Sequence, residues 1–227
     1  MSDILLIHGS CHGAWCWHAV IAELAALGHT ARAIDLPGRG GSATTLADQA
    51  QAILAALRGP TVLVAHSAGG YPMTAAAQTD PSQITALVYL CAYVPRVGQN
   101  LAQMRRAGPS QPLAPALRLL PDRSAFHFDP ALCTDLFYHD CPDPQAAIAR
   151  LCPEPVAPQE TALPDTARAN ALPRHYIRCT QDRAIPPDYQ ATMASSFAPA
   201  NRHDLPASHS PFLSMPRRLA ALIAGLD

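Results

Sequence analysis

The stretch Thr-Val-Leu-Val-Ala-His-Ser-Ala-Gly-Gly-Tyr at residues 61–71 constrains this chain more than any other. Apolar and β-favouring residues run straight into a serine with small neighbours, and a helix-compatible segment follows. A strand that turns this sharply into a helix lifts a serine hydroxyl above the end of a sheet and holds it in strained backbone angles. Such a turn accepts only small residues two positions to either side, here Ala65 and Gly69. The pattern is A-x-S-x-G where G-x-S-x-G is commoner, and alanine is still small enough. Ser67 is therefore read as an activated nucleophile and not as an ordinary helix N-cap. That reading demands a histidine and an acid farther along.

The rest of the chain supplies a scaffold for such a turn. Residues 4–7, 30–36, 61–65, 84–90, 175–179 and 202–205 read as short strands. Several are continuously apolar, as buried parallel strands are. Helical spacing fills the gaps at residues 14–27, 45–57, 187–197 and 210–226, with Gly28 placed as a helix C-terminal glycine. Alternating strands and helices predict an α/β fold with a mainly parallel, doubly wound sheet of about six strands. The alternation breaks between residues 95 and 173, which are rich in Pro, Gln and Arg and hold no convincing branched strand. A structureless loop of that length is improbable inside a compact domain. The expected organisation is a core of residues 1–94 and 174–227 with a mostly helical cap, 95–173, inserted over the strand ends.

Composition narrows the function. A net charge of −1 gives no electrostatic case for nucleic acid or an anionic membrane surface. No apolar run approaches the ~20 residues that span a bilayer, and the N-terminus enters its first strand without a signal-like segment. A cytoplasmic protein is the expectation, with a homodimer left open. The seven cysteines are scattered and odd in number. They are read as reduced, packed apolar groups, with no metal site and no disulfide framework. The chain has no lysine, so no step of its chemistry can use one.

The partners of Ser67 follow from chain order. In a serine nucleophile sheet enzyme of this type the order is Ser, acid, His, each after a strand's C-terminal end. Asp182 follows the strand ending at Cys179, and His209 follows the last strand. Asp35, Asp188 and Asp204 are the alternative acids, and His203 the alternative base. The chemistry needs the trio because a serine hydroxyl is a poor nucleophile at neutral pH. His209 would take its proton, and Asp182 would fix the imidazole tautomer. Two backbone N–H groups, of Ala68 and of Ser10 in the turn after the first strand, would receive the developing oxyanion. His8 and His66 read as structural histidines, and Trp15 and Trp17 as core.

The motifs H-G-S-C-H-G-A-W-C-W (8–17), D-L-P-G-R-G (35–40), V-A-H-S-A-G-G (64–70), C-T-Q-D-R-A-I-P (179–186) and S-H-S-P-F (208–212) occur in that order over nearly the whole length. The chain resembles the α/β-hydrolase superfamily, and within it the branch of plant methyl-ester esterases and hydroxynitrile lyases. F-Y-H-D-C at 137–141 resembles that branch's cap. The resemblance implies an α/β-hydrolase fold and a cofactor-free enzyme with its triad at Ser67, Asp182 and His209, acting on a small-molecule ester. The lyases carry threonine where Gly9 stands and lysine after the catalytic histidine, where this chain has Ser210. An esterase is therefore favoured over a lyase, while a triad-bearing protein that only binds a small ligand would carry the same triad and stays open. Gly9, Phe126, Phe128, Phe137 and Tyr138 are the candidate pocket residues, with His139 beside them.

Overall fold

A computed structural model describes residues 2–226. β1 (Asp3–Ile7) leads through a 3-10 turn into α1 (His18–Ala26), and β2 (Thr30–Ile34) follows. α2 (Leu46–Ala55) begins at Thr45, whose side chain and Asp48 form a reciprocal capping box. β3 (Thr61–His66), α3 (Gly70–Thr79) and β4 (Ile84–Leu90) complete the first half. After the insertion come β8 (Arg174–Cys179), α9 (Pro187–Ala194), β9 (Arg202–Leu205), α10 (Pro211–Ser214) and α11 (Pro216–Ala224). The C-terminal helix expected as one piece is thus two, because Pro216 lacks the N–H needed to continue α10.

The described residues build a six-stranded sheet in the order β2-β1-β3-β4-β8-β9, with every pairing parallel. Strand residues alternate between its two faces. Ile4 and Leu6 pack with Trp17, Val20, Leu24, Phe212, Leu219 and Ile223. Leu5 and Ile7 pack on the other side with Ile53, Met73 and Ala76. Each such large side chain buried contributes about 1.5–3 kcal/mol, so both faces of the sheet are held against helices. Among the described residues no helix is long and apolar enough to cross a membrane.

The insertion holds α4 (Leu101–Ala107), β5 (Leu117–Leu119), β6 (Ala125–Phe128), α5 (Pro130–Phe137), α6 (Pro144–Ile148), β7 (Glu154–Pro155), α7 (Val156–Gln159) and α8 (Ala167–Asn170). Beside its helices the insertion holds strands, where no convincing branched strand was expected. β5, β6 and β7 form a three-stranded antiparallel sheet. Its strands are only two to four residues long, and α5 and α6 lie between β6 and β7, so no run was long enough to show period-two alternation.

Hydrogen bonds tie this insertion to the loop after β9. The Asp140 carboxylate accepts the Ser208 N–H at 2.8 Å, and the Ser208 hydroxyl donates to the Phe137 carbonyl at 3.1 Å. The 137–141 motif is therefore an anchor for the segment that carries His209.

Candidate active site

β3 ends at His66 and the chain reverses through a 3-10 turn, Ser67–Gly69, into α3. Ser67 takes φ +53, the left-handed region that non-glycine residues rarely occupy. Such a residue costs of order 1–3 kcal/mol and persists only where its surroundings fix it. The fixing is visible: Tyr93 N–H donates to the Ser67 carbonyl at 3.0 Å. A Cβ at Gly69 would stand 2.6 Å from the His8 carbonyl oxygen, so glycine is required there. Ala65, in contrast, lies inside the strand and is fully buried without conflict.

The three residues picked out by chain order meet. The Ser67 hydroxyl lies 3.0 Å from His209 Nε2, and His209 Nδ1 lies 2.7 Å from Asp182 Oδ2. A carboxylate only accepts, so Nδ1 carries the proton and Nε2 is left to accept from Ser67. Asp182 is itself held on both oxygens. Oδ1 accepts the N–H groups of Ala184 and Ile185 at 2.7 and 2.9 Å, and Oδ2 accepts Gln190 Nε2 at 2.8 Å. Gln190 is fully buried, and it also spans the Cys179 N–H at 2.9 Å and the Ile185 carbonyl at 2.8 Å. Sequence reasoning missed Gln190, for which no local pattern gives a signal.

The alternatives lie elsewhere. Asp204 pairs with Arg178 at 2.6 Å, and Asp35 with Arg39 at 3.4 Å. Asp188 is exposed at the start of α9. His203 faces His175 at 3.4 Å.

The buried histidines around the triad are fixed in their neutral forms. His66 Nε2 donates to the His209 carbonyl at 2.8 Å, and burial, with His209 and His12 adding to it, pushes His66 well below its ordinary range. His12 Nδ1 donates to the Ser10 carbonyl at 2.9 Å while its Nε2 accepts the Tyr138 hydroxyl at 2.8 Å. Burial lowers His12 to about 3. His8 Nδ1 donates to the Gly9 carbonyl at 2.9 Å, and its Nε2 accepts the Leu36 N–H at 3.0 Å. These rings act as struts: His66 holds the backbone of His209, and His8 and His12 hold the turn after β1.

That turn presses on the nucleophile. A Cβ on Gly9 would stand 2.8 Å from the Ser67 Cβ. Ser10 and Ala68 both line the cavity onto which Ser67 opens. The insertion grips the turn from its other side: Gln159 Nε2 donates to the Ser10 hydroxyl at 2.6 Å, and Glu154 accepts the Cys11 N–H at 3.1 Å. Cys11 at φ +62 is one of the few non-glycine residues in the left-handed region.

The apolar wall of this narrow cavity is Leu101, Leu113, Phe128 and Phe137. Three of the five expected pocket residues, Gly9, Phe126 and Tyr138, lie off this wall. Phe126 packs on the Phe128 ring at 5.7 Å, and Tyr138 is turned away into its bond with His12, so neither lies on this wall. Gly9 borders a neighbouring small cavity behind the turn, and His139 bonds the Asp135 carbonyl at 3.2 Å. Trp17 is fully buried in the core, while Trp15 lies under the Arg150 guanidinium at 4.7 Å. All seven cysteines are unpaired, and the one His/Cys cluster with metal-like spacing among the described residues, His66, Cys91 and His209, includes the imidazole bonded to Ser67.

Residues 4–222 match the Alpha/beta hydrolase family. The chain belongs to that family. Among its relatives, Methylesterase 7 of Arabidopsis thaliana is 30% identical, over 96% of this chain and 94% of that protein. A pyrethroid hydrolase of Sphingobium wenxiniae is 31% identical over 99% of this chain and 87% of its own length. The crystal structure of a pyrethroid hydrolase, 29% identical, superposes with a TM-score of 0.88 over 99% of this hydrolase chain and 96% of that one.

Proposed function

We propose that the protein is a carboxylic-ester hydrolase working through an acyl-enzyme. The observation that carries this reading is the unbroken hydrogen-bond chain Ser67–His209–Asp182 at the wall of an apolar cavity. Ser67 Oγ gives its proton to His209 Nε2 as it bonds to the ester carbonyl carbon. The Ser10 and Ala68 N–H groups receive the oxyanion, and losing one such donor costs roughly 2.7–4 kcal/mol of barrier. His209 then protonates the departing alkoxide, the C–O bond breaks, and the acyl group stays on Ser67. Water, deprotonated by His209, attacks the acyl carbon; the bond from that carbon to Ser67 Oγ then breaks, His209 returns the proton to Oγ, and the acid leaves. Asp182 keeps the proton on Nδ1 throughout and stabilises the imidazolium.

The names of the relatives, methylesterase and pyrethroid hydrolase, support the same class of bond. The cavity's leucines and phenylalanines favour a small, fairly apolar ester. A cyanohydrin lyase is disfavoured by Ser210 and the absence of lysine. It is disfavoured also by the turn itself, where a side chain at Gly9 would collide with Ser67.

The test is turnover of short p-nitrophenyl and methyl esters, and separately of mandelonitrile, by wild type and Ser67→Ala. Ester turnover that falls by at least about 10⁴-fold in the variant supports the reading. Cyanide release without ester hydrolysis, or tight ligand binding without turnover, overturns it.

A further inference from the structure

Most polar side chains on the cavity wall are already engaged. Ser67 and His209 bond each other, Ser10 takes the Gln159 amide, and His12 lies between the Ser10 carbonyl and the Tyr138 hydroxyl. Tyr93 and Arg105 are different. Both line the cavity, and among the described residues neither side chain has a hydrogen bond or an ion pair. Arg105 reaches the wall because it lies one helical turn after Leu101 on α4, and residues four apart share a helix face. Its neighbour Arg106 is exposed.

The two groups sense each other. Burial lowers Arg105 from its ordinary range, with the Tyr93 phenol acting against that shift. Burial likewise raises Tyr93, and the Arg105 charge opposes it. No carboxylate lines the cavity among the described residues, and Glu160, which also attracts Arg105, forms no ion pair with it. A partly buried guanidinium without a counter-ion is costly, and an anion entering the cavity would be met by a fixed charge that has already lost much of its water.

We propose that Arg105, with the Tyr93 hydroxyl beside it, recognises an anionic oxygen group on the substrate, so that this hydrolase prefers esters carrying a free carboxylate to their neutral isosteres. This specificity rests on the ester-hydrolase reading. Arg105 binds the remote carboxylate, the apolar wall takes the connecting carbons, and the ester carbonyl meets Ser67.

The experiment compares monomethyl esters of succinic, glutaric, adipic and pimelic acids with the methyl esters of the matching monocarboxylic acids. The quantity read is the ratio of kcat/KM, charged over neutral. Wild type should reach a ratio of about 10 to 100 at the best chain length, the range expected for a charge-assisted hydrogen bond. Arg105→Gln should bring that ratio to 1 or below, Arg105→Lys should keep part of it, and Arg105→Glu should invert it. A wild-type ratio at or below 1 for every length, or a preference that survives Arg105→Gln, overturns the proposal. Failure of the hydrolase reading has a different signature. No ester, charged or neutral, would turn over, and binding of glutarate to Ser67→Ala protein by calorimetry, with and without Arg105→Gln, still decides whether Arg105 holds a carboxylate.

Discussion

Gly9 offers the sharpest perturbation of the site, because one added methyl group acts on the nucleophile without changing its chemistry. A Cβ built there stands 2.8 Å from both the Ser67 Cβ and His66 Nδ1, and 3.2 Å from the His66 carbonyl oxygen. Carbon atoms rest at about 3.5–4.0 Å, so Gly9→Ala forces a separation of roughly 1 Å between the turn and the elbow. Neither side yields cheaply, since His8 and His12 pin the turn and Tyr93 pins Ser67. Ser67 lies 3.0 Å from His209 Nε2, and a displacement of that size ends the hydrogen bond. A misplacement of about 1 Å costs on the order of 10²-fold in rate. Overpacking costs about 1–3 kcal/mol of stability, or roughly 2–4 °C in Tm per kcal/mol for a chain of this size.

The assay is kcat and KM for p-nitrophenyl acetate with Tm measured alongside. Gly225→Ala serves as the control, since a Cβ there meets nothing closer than 3.6 Å. Gly9→Ala should lose kcat on the order of 10²-fold at a modest cost in Tm, while the control changes neither. A folded Gly9→Ala enzyme within twofold of wild type would refute the packing argument.

Other parts of the structure give further expectations. Glu154 is pushed up to about 7 by burial, against the Cys11 N–H, the Gln159 amide and Arg39, which all pull it down. A carboxyl whose folded value is raised above its ordinary 4.5 contributes stability in full below that value and loses it as pH rises through about 7. The difference is on the order of 3 kcal/mol. Between pH 5 and 8 the Tm of wild type should therefore fall relative to Glu154→Gln. His8, His12 and His66, all lowered, act in the opposite sense but equally in both proteins. Parallel Tm curves would count against the assignment. Gln190→Met leaves the Cys179 N–H unpaired and removes one donor from Asp182. It should cost about 1–3 kcal/mol in denaturant unfolding, with kcat lowered and KM little changed. Asp140→Ala frees the Ser208 N–H, and a similar loss of about 1–3 kcal/mol should appear, largely recovered in Asp140→Asn, whose carbonyl still accepts.

The sheet and the triad were legible because their signals are local. Buried parallel strands such as β3 and β4 are continuous apolar runs, and the elbow compresses strand, nucleophile and small neighbours into a few consecutive residues. Asp182 and His209 could be placed because each follows a strand end, and topology brings strand ends to one edge. The supports of the site were not legible. Gln190 is a polar residue in an unremarkable helix, and its side-chain bonds exist only once β8 and α9 are packed. Glu154 and Gln159 reach the turn after β1 across more than 140 positions of sequence, a pairing no motif announces. The small sheet of the insertion was lost for another reason. β7 is two residues long, one of them proline, and β5 is three, too short for alternation to register. Phe126 and Phe128 show the limit at the level of single side chains. Both are aromatic and two residues apart on β6, yet only Phe128 lies on the cavity wall.

The identity of the nucleophile is tested most directly by trapping its acyl intermediate. Protein mixed with p-nitrophenyl butyrate is quenched in acid within the burst phase, and the modified residue is located by peptide mass spectrometry. One butyryl group per chain, on Ser67, absent from Ser67→Ala and accumulating in His209→Ala only slowly, is the predicted result. An adduct on a cysteine or another serine, or hydrolysis that continues unchanged in Ser67→Ala, would contradict the account.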